Sequence, residues 1–222
     1  MDFSCLHYPK DVVLTAVRWY LRYRLSYRDV EEILAERGVR VDHSTINRWV
    51  VRFAPRLAAE ARRHKAPVGG SSGMDETYIK VRGQWKYLYR AVDKEGGTVD
   101  FLLTAKRDNS AALLFLRQSI RNNGTPEKIN IDKSGANTAA IEAYNEEAGK
   151  AIVIRQCKYL NNIVEQDHRP SKRKMNQALG FKEFHAAHAT LQGVEVVQMI
   201  RKEQVCLVPG GSYIDQFNAL AE

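Results

Sequence analysis

The fold class predicted by this sequence is an all-α domain followed by an α/β domain, the latter a mixed five-stranded sheet with flanking helices. Three observations predict it. Before residue 64 the apolar residues recur at helical spacing, whereas from Met74 to Asp93, MDETYIKVRGQWKYLYRAVD, they alternate with period two among strand formers. Beyond Thr104 two short apolar runs, KINID and AIVIRQ, each follow a helical stretch. Between the two regimes lies HKAPVGGSSG, rich in Gly, Ser and Pro, the natural border. The expected division is 1–66 helical, 67–73 linker, 74–180 α/β, and 181–222 a C-terminal helical segment and tail.

The first helix opens at Pro9, with Val13, Ala16, Val17 and Tyr20 as its buried stripe. Ser26 caps a second helix, reciprocated by Asp29; Val30, Ile33 and Leu34 face inward and Gly38 supplies the left-handed stop. Ser44 is placed to cap a third. There Ile46, Trp49, Val50 and Phe53 share one face, and Thr45, Asn47, Arg48 and Arg52 the other. Pro55 is expected to interrupt this helix and start another.

Two strands then meet at Arg82-Gly83-Gln84, and Asp93 to Gly97 turns the chain into a third, TVDFLLT, completing an antiparallel meander. Asn109 or Ser110 caps a helix carrying Leu113, Leu116 and Ile120, which leads to the strand KINID. A helix over 138–147, stopped by Gly149, leads to the fifth strand AIVIRQ. The run NNIVEQDHRPSKRK reads as a helix, and Val194, Val197 and Ile200 mark another near the end.

Composition narrows the partners. The chain has 222 residues, 44% of them apolar, and a formal charge of +8 that suits a polyanion, although charge alone leaves a merely basic protein open. Cys5, Cys157 and Cys206 are scattered and odd in number, so neither a disulfide framework nor a zinc ribbon is expected and a reducing cytoplasm fits. No apolar run approaches a membrane span, and MDFSCLHYPKD lacks the layout of a signal peptide. His185 and His188 are three apart but have no evident third ligand.

Helix, capped helix and capped helix with a polar outer face is the plan of a helix-turn-helix reader. Arg there can bond guanine O6 and N7, and Asn can bond adenine N6 and N7. Residues 1–66 are expected to bind DNA by themselves; a plain packing module with solvated arginines is the alternative. In the second domain Asp75 opens the first strand, Asp132 ends KINID, and Glu165 sits in the helical run. Three acids on three successive elements of such a sheet is the layout of a ribonuclease-H-like core. Glu76 alternates to the face opposite Asp75, and Asp167 turns away from Glu165 on a helix.

Taken in order, MDETYIKVRGQWKYLYRAVDKEGGTVDFLL, INIDKSGAN, KYLNNIVEQDHRPSKRK and LGFKEFHAAHATLQGVEVVQMIRK resemble the insertion-sequence-six family of bacterial DDE transposases. The likeness covers nearly the whole chain. It implies a transposase that binds terminal inverted repeats and target DNA as a homodimer or larger assembly. It also implies that Asp75, Asp132 and Glu165 hold two Mg²⁺ ions, or Mn²⁺ in their place, for strand cleavage and transfer. It implies further that a basic residue at Lys172, beside Arg169, meets the DNA backbone near the cut. Pro170 complicates this, because inside a helix begun at Asn162 it would remove the bond to Gln166 and kink the helix. A nuclease of the same fold, and a DNA-binding regulator derived from a transposase, stay open on the residues alone.

Overall fold

Helical periodicity at the start of the chain gives α1 (Lys10–Arg22), α2 (Tyr27–Ala35) and α3 (His43–Arg63) in the computed structural model. The structure describes residues 1–4, 6–132, 135–157, 162–177 and 180–222; Cys5 and parts of the motifs INIDKSGAN and KYLNNIVEQDHRPSKRK lie outside them. Ser26 and Asp29 form the reciprocal cap of α2, and Gly38 follows with φ of 77°. The cap of α3 is Asp42 rather than Ser44: its carboxylate accepts from Ser44 N at 2.8 Å, so Ser44 is the group being capped. Pro55 does not break α3, which runs through it. A proline removes one backbone bond; the burial of Phe53, Ala54, Leu57, Ala58 and Ala61 around it keeps the helix whole.

The alternating region gives β1 (Ser71–Val81), β2 (Gln84–Asp93) and β3 (Thr98–Thr104). Arg82 and Gly83, at φ of 50° and 75°, make the tight turn between the first two. β1 starts at Ser71, inside the stretch expected as a linker, because Ser71–Gly73 pairs in parallel with Lys128–Asn130. Next come α4 (Asn109–Asn123), β4 (Lys128–Ile131), α5 (Gly135–Ala148), β5 (Val153–Gln156) and α6 (Asn162–Asp167). Asp108 caps α4, accepting from Ala111 N at 2.8 Å, where Asn109 or Ser110 was expected. The sheet order is β3-β2-β1-β4-β5, antiparallel on one side of β1 and parallel on the other. This is the expected mixed sheet. Its core joins Met74, Tyr89 and Ala91 of the meander to Phe115 and Leu116 of α4, Ile129 and Ile131 of β4, and Ile141 of α5.

The remaining helices are α7 (Arg169–Gln177), α8 (Phe184–Arg201) and α9 (Tyr213–Ala219). Two compact units result: Met1–Ala66 together with Arg173–Glu222, and Pro67–Lys172. In the first, α8 packs along α3, and Val194, Val196, Val197 and Ile200 share one core with α1 and α3. Gly193 is where the backbones close up. A Cβ there would lie 2.6 Å from both Leu21 methyls and 2.9 Å from Ala54 Cβ.

Candidate active site

β1 carries Asp75 and Glu76 on opposite faces, and each meets different partners. Asp75 Oδ2 lies 3.4 Å from His168 Nε2, just beyond the end of α6. Glu76 is held by Arg107 and by Asn137 of α5, whose Nδ2 donates to its carboxylate at 3.0 Å. Burial raises the Glu76 carboxyl, and the negative charges of Asp75 and Asp132 push the same way against Asn137 and Arg107. Those two charges therefore lie close enough to Glu76 to act on it.

The strand register explains why. β1 and β4 pair in parallel with Gly73 opposite Asn130, and carrying that register two residues on sets Asp132 beside Asp75, both on the same face of the sheet. Asp132 is half-buried and follows Ile131, the last residue of β4. Glu165 lies on α6, which packs on β1 and β2 and buries Val164. Its side chain is exposed. Glu165 and His168 are three apart, and backbone bonding continues from Val164 to His168, so Glu165 shares a flank of the helix with the His168 ring that faces Asp75.

The helical run breaks once, at His168, and Pro170 falls in the first turn of α7. Its missing N–H costs little there. Bonding resumes past it, with Lys172 N donating to His168 O at 3.0 Å. Arg169 and Lys172 are exposed. Lys174 is not: only 5% of it reaches solvent, and it belongs to the first unit, where Nζ donates to Leu25 O at 2.8 Å over the Tyr20 ring. The run RPSKRK is therefore not a uniform basic surface.

The three acids offer only oxygen donors, which suits a hard divalent cation that keeps part of its water shell. Their oxygens do not all fall within 4.8 Å of one another, a spacing tighter than two neighbouring ions require. Among the described residues the trio that does converge so closely is Glu31, Asp42 and His43 in the first unit. It is accounted for by the start of α3, where His43 N and Nδ1 both bond Glu31 Oε2 and Asp42 caps the helix.

In that unit Arg48 and Arg52 are exposed and Thr45 and Asn47 half-buried, with Arg48 Nη2 donating to Thr45 Oγ1 at 2.8 Å. Asn47, Arg48 and Arg52 line a groove of about 970 Å³, together with Arg28, Lys182 and His185. The sequence reading missed the last three, since no periodicity links them to α3. It also passed over Arg90 and His168. Arg90 is fully buried in β2 and bound through Nε to Asp167 Oδ2 at 2.6 Å.

Comparison with known proteins adds the lineage. A family profile described as a DDE domain matches residues 70–204. The transposase for the insertion sequence-like element IS431mec of Staphylococcus aureus is 41% identical over 203 residues, covering 90% of this chain and 89% of that protein. The transposase for the insertion sequence element IS257 in transposon Tn4003, also of Staphylococcus aureus, is 40% identical over the same length and with the same coverage. Among solved structures, the HTLV-2 integrase catalytic core domain in complex with magnesium, in its trimeric form, is 18% identical with a TM-score of 0.49, covering 68% of this chain and 97% of that one.

Proposed function

Since the chain belongs to the DDE transposases of the insertion-sequence-six family, we propose that it binds the terminal inverted repeats of its element, frees a 3′ hydroxyl at each end and joins it to target DNA. The observation that supports this best is the parallel register of β1 and β4, Gly73 opposite Asn130, which carried two residues on would bring Asp132 beside Asp75, with α6 packed on β1. In this reading Asp75, central in the sheet, faces both other acids, and Asp132 and Glu165 flank it. Two Mg²⁺ or Mn²⁺ ions held there would stabilise negative charge on the attacking and leaving oxygens of an in-line displacement at phosphorus. Arg169 and Lys172, exposed at the start of α7, hold the phosphodiester backbone beside the cut. Arg48 and Asn47 read base edges, Thr45 orients Arg48, and Arg52 binds phosphate. Both ends of the element must be held together, so the working form is a homodimer or larger. It acts on bacterial DNA in the cytoplasm.

The test is strand transfer by the full chain on labelled end duplexes. Asp75→Asn, Asp132→Asn and Glu165→Gln should each abolish cleavage and joining while end binding stays near wild type. A wild-type protein that binds ends yet never cuts them, in Mg²⁺ or in Mn²⁺, would instead be a DNA-binding regulator.

A further inference from the structure

The C-terminal turn of α6 carries a second set of charged contacts, which the reaction itself does not use. Arg90 projects from β2 directly opposite Asp75, on the same face of the sheet, with none of its side chain exposed. A guanidinium so placed needs a partner, because taking its charge out of water is costly when the charge is unpaired. Asp167 provides one: its Oδ2 accepts from Arg90 Nε at 2.6 Å, and the carboxylate is itself only 10% exposed. Two residues upstream is Glu165. The next residue downstream is His168, 1% exposed, with Nε2 facing Asp75 Oδ2.

α6 has only six residues, and Val164 is its one buried apolar side chain. So short a helix has little intrinsic stability, and one valine fixes neither its rotation nor its tilt. The buried ion pair supplies the missing constraint, since a charge-assisted hydrogen bond is directional in a way that apolar contact is not.

We propose that Arg90 and Asp167 are positioning residues of the active site: their ion pair sets the rotation of α6, and with it Glu165, over Asp75 and Asp132. This rests on the reading of the three acids as cation ligands.

Mn²⁺ binding to the full-length chain without DNA, followed by the paramagnetic resonance of the free ion, separates the two ideas. Asp167→Asn should weaken binding by about tenfold or more, with Asp167→Glu recovering part of it. Loss of one partner also lowers stability, so a double variant, Arg90→Met with Asp167→Leu, replaces the pair by apolar side chains of similar size. That variant should regain the wild-type melting temperature but not the Mn²⁺ affinity. Wild-type affinity in Asp167→Asn, or affinity restored together with stability in the double variant, would overturn the proposal while leaving the three acids as ligands. Wild-type binding that Asp75→Asn and Glu165→Gln do not weaken would overturn the ligand reading, and the positioning role with it.

Discussion

Replacing Lys174 by Met should change how the stability of the first unit depends on pH. Burial lowers the Lys174 ammonium from an ordinary 10.5 to about 7, only partly opposed by Asp29. Between those values the unfolded chain carries the proton and the folded chain does not. Stability therefore rises with pH from 7 toward 10.5, and is lost as pH falls through that window. Each pKa unit corresponds to about 1.4 kcal/mol, so from pH 7 to pH 9 the wild type should gain up to ~2.7 kcal/mol that the Met variant does not. The carbonyls of Tyr23 and Leu25 and the face of Tyr20 attract the charged form, which makes that figure an upper bound. Denaturant unfolding followed by tryptophan fluorescence suits the measurement, since Trp19 and buried Trp49 lie in this unit and Trp85 in the other. Parallel pH profiles for wild type and Lys174→Met would refute the argument. They would mean that the ammonium stays charged in the fold, satisfied by the two carbonyls and the ring.

Lys172→Ala, by contrast, should lower strand transfer without moving the melting temperature, because Lys172 is exposed; an equal loss of stability would place it in the core beside Lys174. Arg48→Ala should cost about 1–3 kcal/mol of repeat binding and relax base preference, measured against random duplexes at several salt concentrations. Gly193→Ala should destabilise by about 1–3 kcal/mol through overpacking against Leu21 and Ala54, and Leu21→Ala in the same chain should recover part of that, as read by thermal unfolding.

What could be read from the residues was local. Ser26 with Asp29, the turn at Arg82-Gly83, the alternation through Tyr78 and Tyr87 and the acid closing KINID all declare themselves within a few positions, and the structure has the elements they announce. What could not be read depends on distant partners. Pro55 looks like a helix end until the core around it is known. An arginine inside a strand, such as Arg90, reads as a solvated side chain; its partner Asp167 lies 77 positions away. Lys174 sits in a run that looks uniformly basic, and only the return of that segment to α1 buries it. Ser71 and Ser72 have a linker's composition but become strand once β4 is there to pair with them.

The discontinuous make-up of the first unit bears on how the protein is made. The apolar side of α3 that α8 covers leaves the ribosome on the order of a hundred residues before α8 does, which at cellular rates of synthesis means about ten seconds. The whole α/β unit is synthesised and can fold within that wait. During it the side of α3 around Ala54, where Gly193 of α8 comes to rest in the finished chain, has no cover. A 1–66 fragment lacks α8 altogether, so the expectation that these residues act by themselves meets the cost of leaving that side of α3 uncovered. If the first unit reads DNA as proposed, a chain truncated before α8 should bind the ends of its element more weakly than the full chain.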